Sequence, residues 1–74
     1  MPRYGVILVH TTSAAMRGEA LLSRAALAVK LIPVPRNLSS DCGLAIRILA
    51  EDREQALAVL AKEHVEIAGV HDMG

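Results

Sequence analysis

Phenylalanine and tryptophan are absent from these 74 residues, and tyrosine and cysteine occur once each. The lack of aromatics excludes a stacking platform. Proteins that hold single-stranded nucleic acid combine such a platform with a cationic groove. No excess of positive charge compensates, because eight Lys and Arg balance eight Asp and Glu. Non-specific attraction to a polyanion is therefore disfavoured, and no nucleic-acid partner is expected. A single cysteine permits no intrachain disulfide. There is no Cys-x-x-Cys pair, and one Cys with scattered His is a poor match to the three or four ligands of a metal centre. The longest apolar stretch near the start, Val6 to Val9, is too short for a secretory core or a membrane span. A lone thiol fits a reducing compartment, so the expected location is the cytoplasm. No metal and no cofactor is implied.

The chain is instead rich in aliphatic residues. Apolar side chains make up 53% of it, so the core must be built from Leu, Val, Ile and Ala. The length suits one domain, residues 1–74, with a marginal core of its own. Domains of this size usually gain stability from a disulfide, a metal or a second subunit. With the first excluded and the second poorly supported, self-association is the expected supplement.

Residues 4–10 form a near-continuous apolar run that predicts a strand buried on both faces. Thr11, Thr12 and Ser13 offer N-caps for a helix over 13–26, whose stripe is Ala15, Gly18, Leu22 and Ala25. Residues 28–35 predict a second strand. Pro33 and Pro35 cannot donate to a ladder, so this strand belongs on an edge or ends there. Residues 36–43 are dense in turn formers and predict a loop. Residues 44–49 alternate, with Leu44, Ile46 and Ile48 on one face and Ala45, Arg47 and Leu49 on the other. Asp52 with Gln55 fits a capping box for a second helix carrying Ala56, Leu57, Leu60 and His64. Residues 65–70 predict the last strand, and residues 71–74 a frayed tail.

The order β-α-β-β-α-β leads to an α+β fold, the ferredoxin-like sandwich: a four-stranded antiparallel sheet with both helices on one face. The first and third strands are then central. The other face of that sheet would expose apolar residues of the first and third strands. Exposed apolar area of this extent marks an interface, and a homodimer through it is expected.

This topology brings Cys42, His10 and His64 to one end and sends His71 to the other. Cys42 is the sharpest chemical group. It sits beside Gly43 in a loop, near the N-terminus of the first helix, whose partial positive charge favours thiolate. Arg36 and Arg47 bracket the loop and favour the anion as well, whereas Asp41 opposes it. Gly43 gives the backbone room. The plainer account makes Cys42 a small buried residue. For His10 a hydrogen-bonded strand end, for His64 a helix C-terminus, and for Glu19 a solvated helix surface are the plainer accounts. The Thr-Thr-Ser cluster is most simply capping. So small a body leaves little room for a deep substrate pocket, which weighs against an enzyme.

The run from Lys30 to Arg47, with Pro35-Arg36, Leu38-Ser39-Ser40, Cys42-Gly43 and Leu44-Ala45-Ile46-Arg47, resembles the signature of the selenium/sulfur carrier protein-like family. The first strand followed by Thr-Thr-Ser, and Gly18-Glu19 with Leu21-Leu22, sit at the family's spacing. The resemblance thus covers most of the chain. It departs at Asp41, where a small residue such as Gly is commoner. The resemblance implies that Cys42 is a carrier thiol, taking sulfur as a persulfide, or selenium, from a cysteine desulfurase-type donor and handing it to an acceptor protein. Two rivals remain. One is a dimeric interaction or regulatory module with a structural Cys42. The other is a metal-handling domain using Cys42 with His10 and His64.

Overall fold

The first apolar run forms strand β1, Tyr4–Leu8, in a computed structural model that describes residues 2–38 and 43–73. The strand is shorter than the run that predicts it. The Leu8 carbonyl accepts from Ala68 N–H at 2.7 Å at the end of the ladder, Val9 is buried beyond it, and His10 is exposed in a bend. Helix α1 follows, Thr12–Arg24. Thr11, in an extended conformation, is its cap, and its hydroxyl accepts from Ala14 N–H at 3.0 Å. The buried stripe is Ala15, Gly18 and Leu22. Gly18 is needed for close approach, because a Cβ there would lie 2.7 Å from Ile46 Cδ1. The helix stops short of residue 26: Ala26 takes a left-handed φ of 64°, and Ala26 and Leu27 N–H turn back to the Ser23 and Leu22 carbonyls.

Strand β2, Val29–Pro33, is trimmed at both ends relative to the expected 28–35. It pairs antiparallel with β3, Leu44–Leu49, with Pro33 opposite Leu44. Val34 N–H then donates to Gly43 C=O at 3.2 Å, tying the two ends of the intervening loop together. A 3-10 turn, Ala50–Asp52, leads into helix α2, Arg53–Lys62. The capping box does not form. Asp52 holds the cap position, but the preceding turn sets it at φ −93°, ψ 2°, outside the extended conformation that aims a capping side chain, and it makes no cap hydrogen bond. Helix α2 ends as α1 does, with His64 at φ 58° and with His64 and Val65 N–H returning to the Ala61 and Leu60 carbonyls. The last strand, β4, is Gly69–Asp72 rather than 65–70. Residues just past the helix close its end instead, and Val65 and Ile67 join the core without strand pairing.

The protein is α+β, with a four-stranded antiparallel sheet in the order β2-β3-β1-β4 and two helices. The first and third strands are central and the proline-bearing second strand is an edge. Both helices cover one face. Ile7, Ile46 and Ile48 meet Ala15 and Leu22 of α1 and Ala56 and Leu60 of α2. Arg17 of α1 donates to the Glu63 carbonyl at the end of α2, 3.0 Å away, which satisfies a helix-end acceptor.

The second face is not bare, contrary to the expectation from the sequence. Its apolar residues Val6, Leu8 and Ala45 are 0%, 3% and 0% exposed. Val34 and Leu38 of the loop, with Ile32 of β2, pack on them, and Leu38 N–H closes a turn on the Pro35 carbonyl at 3.0 Å. Leu38 falls in a stretch whose neighbours are turn formers, so hydropathy patterning hides its role as a cover. The expected homodimer rested on that face being open.

Candidate functional site

Strand polarity determines which segments meet. β1 and β2 run one way, β3 and β4 the other. The end of β1, the start of α1, the β2–β3 connection and the end of α2 therefore share one end of the sheet. His10, Thr11, Gly43 and His64 gather there, as the topology predicts. His71 pairs with Val6 in β4 and is set back from that end. His64 is absorbed by the left-handed close of α2.

Cys42, with Ser39, Ser40 and Asp41, lies outside the described residues. Its covalent neighbour Gly43 is exposed in the bend that enters β3. A Cβ at Gly43 would meet nothing within 4 Å, so no described neighbour demands a glycine there. On the near side of the loop Arg36 is exposed in the turn that Leu38 closes.

Arg47 lies on the same face of the sheet as that turn, half-buried, between Val6 and Lys30 in the register. Its guanidinium carbon is 4.3 Å from the centre of the Tyr4 ring, a cation–π distance. Tyr4 pairs with Leu49, at the end of β3 far from Gly43. Arg47 itself is four residues along β3 from Gly43, roughly 13 Å of extended chain. Thus Arg36 and Gly43 flank the loop directly, while Arg47 shares its face and is engaged with Tyr4. Sequence reasoning missed Tyr4 and Lys30 in this setting. The alternations Tyr4-Val6-Leu8 and Lys30-Ile32-Val34 were readable, but the cross-strand register that brings Arg47 between them was not.

The described residues hold no group of three His, Cys, Asp or Glu side chains placed to share a metal ion. A cleft of about 90 Å³ lined by Arg3, Tyr4, Ala50 and Asp72 and an open one of about 420 Å³ lined by Pro2, Arg3, Ala50 and Glu51 lie at the end of the sheet away from Gly43. No helix among the described residues is long and apolar enough to cross a membrane. The described residues at the Gly43 end thus offer an exposed bend beside the loop that holds Cys42.

No curated protein and no solved structure matches the chain. A family profile does, over residues 4–72, from β1 through β4. The chain belongs to that family, described as "Putative Se/S carrier protein-like".

Proposed function

We propose that the protein carries sulfane sulfur, or selenium, on the thiol of Cys42. Family membership over nearly the whole chain is the observation that carries this reading. The exchange needs only an accessible thiolate. The Cys42 thiolate attacks the terminal sulfur of a donor persulfide, the new sulfur–sulfur bond forms, and the donor's thiolate leaves with the electron pair of the broken bond. A nucleophile on the acceptor repeats the step in reverse and releases Cys42 as thiolate. No external oxidant or reductant is required. Arg36, and Arg47 across the same face, favour the anion, and Gly43 lets the chain enter β3 without side-chain bulk beside the sulfur. A desulfurase-type donor and an acceptor protein are the partners this chemistry requires, and a reducing compartment such as the cytoplasm keeps the thiol free. The strand order and the shared helix face support reading the scaffold as a ferredoxin-like sandwich.

The dimeric-module reading rested on an apolar face that Leu38 and Val34 now occupy, so no structural observation favours it over the carrier.

The test is incubation with a cysteine desulfurase and cysteine, followed by intact-mass measurement. The expected product has gained one sulfur atom, loses it on reduction, and does not form in Cys42→Ser. Failure to form it with any donor would remove the carrier role.

A further inference from the structure

We propose that the loop-bearing face of the sheet is a docking surface for an acidic patch on the protein with which Cys42 exchanges sulfur; the partner's identity, though not the surface, rests on the carrier reading above. The zero net charge of the chain conceals a separation of charge between its two sides. Lys30 pairs with Arg47, Arg47 with Val6 and Val6 with His71, so one row across all four strands carries three basic side chains. Arg36 is exposed on the turn laid over the same face. No carboxylate among the described residues stands in that row. Glu19 is on α1, Glu51 and Asp52 are in the 3-10 turn, Glu54 is on α2, and Glu63 and Glu66 follow it. Asp72, at the end of β4, has its carboxylate 3.8 Å from Arg53 of α2 and borders the cleft beside Pro35 and Leu38.

Neighbouring strands are about 5 Å apart, and the Debye length is about 8 Å at physiological salt. Lys30 and Arg47, on neighbouring strands, therefore act together. Lys30 and Arg47 are also like charges placed directly opposite each other, which disfavours strand pairing. Within the domain, Arg47 is accommodated by turning onto Tyr4. A carboxylate from outside would relieve the repulsion more fully. Beside the charges lie Ile32, Val34 and Leu38, half-buried over the fully covered Val6 and Leu8, a small apolar patch with a charged margin, as protein interfaces are built. A nucleic acid fits less well, because the one Phe, Tyr or Trp ring of the chain already receives Arg47.

The test uses isotope-labelled full-length Cys42→Ser protein, so that binding is read without thiol chemistry. Backbone amide shifts are followed during titration with poly-glutamate and, separately, with poly-dT. The expected result is shifts confined to the loop-bearing face and an affinity that falls steeply with added salt. Lys30→Gln and Arg36→Gln should each weaken binding roughly threefold at low salt, whereas Arg24→Gln on α1 should leave it unchanged. Shifts on the helices, equal loss in Arg24→Gln, no binding of poly-glutamate, or tighter binding of poly-dT would each overturn the proposal. A missing sulfur adduct, in contrast, would remove the carrier role and leave the basic docking surface standing.

Discussion

The two halves of the domain, β1-α1-β2 and β3-α2-β4, solve one backbone problem with different residues. Both helices bury a leucine three residues before the cap, Leu22 and Leu60. Both then turn through a non-glycine left-handed residue, Ala26 and His64, with the same pair of reverse hydrogen bonds. Their beginnings differ. Thr11 caps α1 with its hydroxyl, while Asp52 enters α2 through a 3-10 turn and caps nothing with its side chain. Packing of the helix end thus repeats without sequence identity, whereas capping of the helix start depends on the conformation of a single residue.

The comparison is most severely tested at the paired leucines. Leu22→Ala and Leu60→Ala should each destabilise by about 2–5 kcal/mol, the range for truncating a buried leucine. Urea unfolding of both variants checks it, and a small loss at either would break the equivalence of the halves. A smaller effect separates the helix starts. Thr11→Ala should cost about 1 kcal/mol and Asp52→Ala only a few tenths, since only the threonine side chain accepts a hydrogen bond from a helix N–H. Equal losses in thermal melts would show that Asp52 acts through something other than its side-chain cap. The smallest shifts are expected where both halves share a strain. Ala26→Gly and His64→Gly should each raise stability by roughly 0.5–1 kcal/mol by relieving a left-handed side chain, net of the entropy glycine adds to the unfolded chain. A fall in stability in either variant would mean that its side chain does more than occupy the turn.

Strand and helix types were legible in the sequence where period and punctuation agreed. The alternation of residues 44–49 gave the faces of β3, and Pro33 gave the edge position of β2 and its end. The spacing of Ala15, Gly18 and Leu22 gave the buried side of α1. What escaped depends on tertiary context. The pattern from Asp52 to Gln55 reads as a capping box, but the 3-10 turn rotates Asp52 out of it. Val65 and Ile67 alternate like a strand, yet the chain needs them to finish α2. Leu38 looks like an incidental apolar residue among turn formers, and only the fold shows it seated on Val6, Leu8 and Ala45. The site was legible as residues rather than as an arrangement. Arg36 and Gly43 are adjacent to the loop by covalent connection alone, whereas the meeting of Arg47 with Tyr4 and Lys30 is set by strand register, which no single strand encodes.

The seat of Leu38 also limits how the protein can work. Lifting the turn from the sheet would wet this leucine and the residues beneath it, at about 2 kcal/mol or more. A raised state would then be populated at a few per cent or less. If the proposed exchange at Cys42 had to wait for that state, most encounters would be lost, so on that reading exchange takes place with Leu38 seated.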